Sequence, residues 1–381
     1  MTSPARRIAL ARKHDPESAA LVERLLALSG RILPQTYRDG GFVFTLNGVR
    51  ETPGPAGSNG GWRLEAAGTS LRYGAITAIG LLRESEAAQR ATLGGDTCHD
   101  LIGRLAKSLD DAADLGDVAL LAWAAADAVH AELPHALARL AALDDGRSAV
   151  DVVAAAWVVS ALVAARPLAD VEPQLAAARR RLLAARGAVY PHTIPAGATS
   201  WYRAHVGCFA DQVYPVQALA RLHGSGDDPE ALATANDVAA AICAAQGEAG
   251  QWWWHYDSRT GGVVEGYPVY TVHQHAMGPM ALLDLADAGG DAHLDAICRG
   301  LRWLTGRPET GEVMILDEPP VTWRKVARDD PRKVVRGLRA AATRVHAAAR
   351  VRPLDRAFPP GAVDHECRPY ELGWLLLSWL S

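Results

Sequence analysis

Six stretches of this chain are apolar almost all the way round a helix. They are SLRYGAITAIGLLR from Ser70, DLGDVALLAWAAADA from Asp114, VDVVAAAWVVSALVAA from Val150, FADQVYPVQALARLHG from Phe209, VHQHAMGPMALLDLADAG from Val272 and ECRPYELGWLLLSWL from Glu366. Each opens on polar or aromatic residues and then fills with Ala, Leu and Val, the pattern of a helix covered on every side. Between them lie amphipathic runs with one apolar stripe, at 97–109, 133–143, 172–186, 229–245, 291–305 and 331–350. Successive buried runs begin roughly 40 to 60 residues apart until a longer gap before the last. The spacing lacks the recurring consensus of a solenoid. Six buried helices alternating with six surface helices predict an all-α fold, an (α/α)6 toroid with an inner ring inside an outer one. The expected organisation is a single domain over 1–381, with an N-terminal helix and loop (1–69) and a main helical barrel (70–381).

That plan also predicts where chemistry occurs. Parallel inner helices bring their N-termini to one end of the barrel, where free N–H groups and the positive dipole end favour anionic ligands. Arg72, Tyr73, Asp114, Asp117, Asp211, Tyr214, His273, His275, Arg368, Tyr370 and Glu371 stand at those helix starts. The Gly- and Pro-rich loops 31–69, 187–208, 246–271 and 306–330 are expected to rim the same funnel.

Composition narrows the class. A formal net charge of −4 over 381 residues gives no basic face for nucleic acid. The basic runs at Arg179–Arg181 and Arg332–Arg339 read as solvated helix faces or partners of acids. Five scattered cysteines without a Cys-x-x-Cys pair suit a reducing compartment, and no run is long enough to cross a membrane. A cytoplasmic protein is expected, and its oligomeric state is left open.

The densest chemistry lies in QGEAGQWWWHYDSRTGGVVEGYPVYTVHQHAMGPM, residues 246–280. So many aromatic and titratable groups are costly to bury and point to a cleft. His273 is the expected general acid or base. His275, two positions on, diverges from it by about 200° on a helix, which disfavours a metal pair. In an extended segment Trp252 and Trp254 share a face that is suited to stacking on a ligand, with Trp253 opposite. Asp257 is a carboxylate of either a turn or a catalytic site. Tyr267 and Tyr270 accompany Glu265 just ahead of His273, and a Tyr–His pair suits proton abstraction beside a carboxylate. Such a phenol needs a lowered pKa, with Arg203 or Arg368 as the source of positive charge. Glu366, Arg368 and Tyr370 open the last buried helix, and Asp211 opens the fourth. The expected catalytic set is His273, Asp257, Glu366, Asp211 and Tyr270. The expected binding set is Trp252, Trp254, Tyr256, Arg203, Arg368, Tyr370, His275 and Tyr267, with no metal and no cofactor.

The stretch GQWWWHYDSRTG, residues 250–261, resembles the Gln-Trp loops of the squalene cyclase and protein prenyltransferase toroids. In those families such a loop caps an outer helix before an aromatic-led inner helix, and the likeness spans residues 210–305. It implies the toroid more than an activity. The cyclase Asp-x-Asp-Asp acid is absent, although Asp110-Asp111-Ala112-Ala113-Asp114 matches the Asp-Asp-x-x-Asp metal motif literally. Asp364, His365 and Cys367 are badly spaced for the prenyltransferase zinc. Single (α/α)6 toroids also serve carbohydrate enzymes, an analogy of fold. The mixture of Trp, Tyr, His, Arg and acid favours the carbohydrate reading: metal-independent hydrolysis, elimination or epimerisation of an oligosaccharide, uronate-containing ones included. A terpenoid or prenyl-diphosphate toroid and a non-catalytic partner-binding toroid are the alternatives.

Overall fold

A computed structural model describes residues 3–51, 61–146, 148–187, 200–306, 308–330 and 332–381, with side chains from Arg6 onward. Helices α1 (Ser3–His14) and α2 (Pro16–Thr36) lead into a strand pair, Gly41–Arg50 with Trp62–Thr69. Then come α3 (Leu71–Leu81), α4 (Glu86–Thr92), α5 (Cys98–Ala106), α6 (Leu115–Asp127), α7 (Leu133–Leu143), α8 (Val152–Ala165) and α9 (Glu172–Ala184). After residues outside the description follow α10 (Ala210–Gly226), α11 (Pro229–Ala244), α12 (Gly278–Asp287) and α13 (Leu294–Gly306). The C-terminal part holds α14 (Val334–Val345), α15 (Pro353–Ala357) and α16 (Pro369–Leu380).

The six all-round apolar runs form one closed ring. α3 packs on α6, α6 on α8, α8 on α10, α10 on α12, α12 on α16, and α16 returns to α3. Helix starts are fixed by side chains that accept the free N–H groups of the first turn. Ser70 takes the Tyr73 amide, Asp114 that of Asp117 and Asp151 those of Val153 and Ala154. The return contact is a direct backbone approach. A Cβ at Gly80 of α3 would stand 2.2 Å from the carbonyl oxygen of Gly373 on α16, so the two backbones touch with nothing between them.

Burial separates the two rings. In α6 every residue from Val118 to Ala126 is buried, whereas α7 buries only Leu133, Ala136 and Leu140, and α9 only Leu175, Ala178 and Leu182. The latter spacings of three and four are one helical stripe. α5, α7, α9, α11 and α13 cover the ring from outside as expected. The sixth outer position, assigned above to 331–350, is held by α2, which lies on α13 and α16. α14 instead packs on the strand Val263–Glu265 and the turn Trp201–Arg203, above the barrel.

Two other segments differ from expectation. Residues 41–50 and 62–69, read as loop, form a strand pair rich in Phe, Val, Thr and Trp. Strand pieces from 206–208, 255–257, 263–265, 269–270, 325–328 and 360–364 build two further small sheets among the loops. The fold is thus an (α/α)6 toroid carrying small sheets. Part of the expected rim, 52–60, 188–199 and 307, lies outside the described residues. No described helix is long and apolar enough to cross a membrane.

Candidate functional site

The helix starts converge as the toroid plan requires. A cavity of about 220 Å³ is walled by Arg72, Tyr73 and Ile76 of α3, Val153 and Trp157 of α8, Ala210 and Tyr214 of α10, His273 and Met277 ahead of α12, and Tyr370 of α16. Trp254, Tyr270 and Arg324 complete it from the loops. The last three also line an outer compartment of about 500 Å³, so the two spaces adjoin. The outer one is strongly basic, with Arg324, Lys325, Arg328, Lys333 and Arg336 against Asp330.

Aromatic packing shapes the inner wall. Tyr73 stacks on Tyr370 with centroids 4.6 Å apart, Trp157 meets Tyr214 edge-on at 5.1 Å, and Trp254 lies 5.0 Å from Tyr270. His273 sits 4.4 Å from Phe209 and 5.0 Å from Tyr270. Burial pushes the His273 pKa down to about 3, well below the near-neutral value expected of it, so the ring is uncharged at neutral pH. Its buried Nδ1 has no hydrogen-bond partner among the described residues. Burial also raises the Tyr270 phenol, outweighing the nearby guanidinium groups of Arg324, Arg336 and Arg368. Arg72 enters the cavity held by Asp117 at 2.6 Å and Asp114 at 2.7 Å, with its guanidinium 5.3 Å from the Trp157 ring. Arg324 is held by Glu366 at 3.2 Å and Asp364 at 3.5 Å.

Of the residues singled out from the sequence, Arg72, Tyr73, Tyr214, Trp254, Tyr270, His273 and Tyr370 meet in the inner cavity, and Tyr267 and Tyr270 line the outer compartment. Glu366 and Arg368 pair with each other at 2.7 Å, and Arg368 also donates to the Tyr73 hydroxyl at 2.9 Å, which places them behind the wall. Asp211 accepts the Cys208 amide at 2.6 Å, and burial raises its pKa to about 6. Arg203 is exposed on the short turn beside α14.

Four residues lie in the packing beneath the site rather than in it. Asp257 is buried in a hairpin turn and binds Arg259 through both oxygens, at 2.7 and 3.0 Å, while accepting the Arg259 amide. Those contacts are the ones a turn-stabilising carboxylate makes. Tyr256 is buried and accepts the Trp253 amide at 3.2 Å. Trp252 is buried against Phe209, and His275 points from a π-helical turn (His273–Met277) into the core, where its carbonyl accepts Trp379 Nε1. Burial holds the His275 pKa at about 3.

Other placements were not legible in the sequence. Asp317 and Glu318, the acids closest in sequence to Arg324 and Lys325, pair with Arg24 and Arg31. The basic run after Arg332, read as a solvated face or as partners of acids, sends Lys333 and Arg336 into the outer compartment, while Arg339 does pair with an acid, buried Glu265. Glu371, one position beyond Tyr370, is fully buried, neither of its oxygens has a hydrogen-bond partner among the described residues, and burial pushes its pKa up to about 8. The literal Asp-Asp-x-x-Asp match is not assembled as a cluster: Asp110 faces His135 and Asp114 caps α6.

The architecture matches solved structures of unsaturated glucuronyl hydrolases. One specific for heparin aligns with a TM-score of 0.56 at 11% identity, covering 94% of this chain and 96% of that one. The Streptococcus agalactiae enzyme gives 0.55 at 10% identity, over 94% and 90%. The one from Bacillus sp. GL1 gives 0.54 at 12% identity, over 94% and 95%. The likeness is one of fold. None of these three is a terpenoid cyclase or prenyltransferase, so the Gln-Trp resemblance is carried by the loop alone. No protein-family model matches the sequence, and no curated protein sequence matches it.

Proposed function

We propose that the chain is a carbohydrate-active enzyme that holds a uronate-containing saccharide in the toroidal cavity and acts on it by metal-independent acid/base chemistry. The observation that carries this reading is the joining of aromatic faces and guanidinium groups in one cavity, where Trp254, Tyr270 and Tyr370 share the lining with Arg72 and Arg324. Aromatic rings offer flat apolar faces to the C–H side of a pyranose, and guanidinium groups bind carboxylates through paired N–H donors. The fold likeness to enzymes named for unsaturated glucuronides supports the same substrate class. Within the cavity His273 and Tyr270 are the proposed proton-transfer groups. His273 starts uncharged, and a bound carboxylate beside it raises its affinity for a proton. That makes it a base that is strengthened by its substrate.

One observation favours a second reading. No carboxylate lines the inner cavity among the described residues, and most of its wall is aromatic or aliphatic, as a prenyl chain would require.

A thermal-shift screen separates the two. Uronate oligosaccharides at ~100 times Kd are expected to stabilise the fold by about 2.7 kcal/mol with or without EDTA. His273→Ala is then expected to lower turnover by about 10²–10⁴. A response to prenyl diphosphates and magnesium, with none to uronates, overturns the carbohydrate reading.

A further inference from the structure

Most cations of the outer compartment are already satisfied. Lys325 binds Asp364 at 2.5 Å, and Arg328 is shared between Glu265 at 3.1 Å and Asp355 at 2.7 Å. Arg336 and Lys333 differ. Neither side chain has a hydrogen bond or ion pair among the described residues, yet both line the compartment, where Asp330 has its Oδ2 occupied by the Val335 amide at 2.8 Å. Arg336 is half-buried; removal from water and the charge of nearby Arg203 oppose its protonation and outweigh Tyr270, Asp330 and Glu265, which favour it from a distance without contacting it. Its guanidinium nitrogens are accessible rather than sealed in the packing, and none is taken by a carboxylate, so they are open to an anionic ligand from the compartment. α14 begins between these two residues, so the positive end of its dipole faces the same space.

We propose that Arg336 and Lys333 form a phosphoryl-binding site in the outer compartment. Two unpaired positive charges at a helix start match a dianion with three acceptor oxygens better than a singly charged carboxylate. The ring of the ligand then lies toward Trp254 and Tyr270, which face both compartments. The ligand class is a phosphorylated saccharide. Its saccharide part rests on the function proposed above, whereas the phosphoryl site itself does not.

The test is titration of the purified full chain with inorganic phosphate, acetate and glucose 1-phosphate, at ionic strength held constant with chloride, followed by calorimetry. Saturable phosphate binding is expected, with none for acetate. Arg336→Gln is expected to weaken phosphate at least tenfold, and Lys333→Gln several-fold. Lys333 is exposed, so its substitution reports on the site even if the Arg336 variant folds poorly. Glucose 1-phosphate is expected to bind at least tenfold tighter than phosphate. Equal responses to phosphate and acetate, or unchanged phosphate affinity in both variants, overturn the site. Equal affinity for glucose 1-phosphate and phosphate overturns the saccharide class. Phosphate binding without any uronate response leaves this site intact and sinks the funnel reading, while the reverse outcome sinks this site alone.

Discussion

Trp252 and Trp254 show how far a residue's role follows from its neighbours in sequence. Period-two alternation places them on one face, but that rule holds only within a strand. Here the strand begins at His255, and the preceding residues bend. Trp252 therefore turns inward, where Gly278 and Gly300 leave room for its indole: a Cβ at either would stand 3.0 or 2.8 Å from Trp252 Nε1. Trp254 turns to the cavity. Trp252→Ala is expected to destabilise the fold by about 3–5 kcal/mol in urea unfolding. Trp254→Ala should leave unfolding within about 1 kcal/mol of the parent while raising the saccharide Kd roughly tenfold. Equal loss of stability in both would erase the distinction. Asp257 obeys the same logic. Asp257→Asn is expected to lower stability by about 1–3 kcal/mol, because Arg259 loses its carboxylate. Turnover per folded molecule should stay within a few-fold of the parent, which contrasts with His273→Ala.

At the level of elements, the inner ring was legible because all-round apolarity has a single physical meaning, enclosure. The outer ring was less so. An amphipathic stripe says that one face is covered but not by what, and α14 and α2 carry similar stripes. What decided between them is charge. Arg339 of α14 reaches Glu265, which is fully buried and also binds Arg328, so this helix is drawn over the hairpins rather than around the barrel. No local pattern in 331–350 announces a partner about 70 residues upstream. The basic compartment was missed for the same reason, since Arg324 and Arg336 become neighbours of Tyr270 only through tertiary packing. Glu265→Gln should leave Arg328 and Arg339 without this buried counter-charge and cost about 3–5 kcal/mol in equilibrium unfolding. A loss below about 1 kcal/mol would show that Asp355 alone suffices.

For the whole molecule, burial of titratable groups sets a pH window. Glu371 has its pKa raised by burial from 4.5 to about 8, so the stability tied to its neutral form is complete below pH 4.5 and is lost as pH rises towards 8. His273 and His275 have theirs lowered by burial from 6.5 to about 3, so their contribution is present above pH 6.5 and fades as pH falls towards 3. Tm is expected to decline on both sides of mildly acidic pH. Glu371→Gln should flatten the alkaline limb and leave the acid limb unchanged. An alkaline limb that persists in that variant would mean another group titrates there.

The Gly80–Gly373 contact has a consequence for how the toroid can be made. Arg368 and Tyr73, which flank the same seam, are 295 positions apart, and α2 lies across the outside of it. A chain growing from its N-terminus can stack each inner helix on the one before, yet the bare flank of α3 and the underside of α2 stay wet until α16 arrives. The seam therefore acts as a late checkpoint: the ring snaps shut in one long-range step, and a nascent chain short of α16 is a candidate client for chaperones.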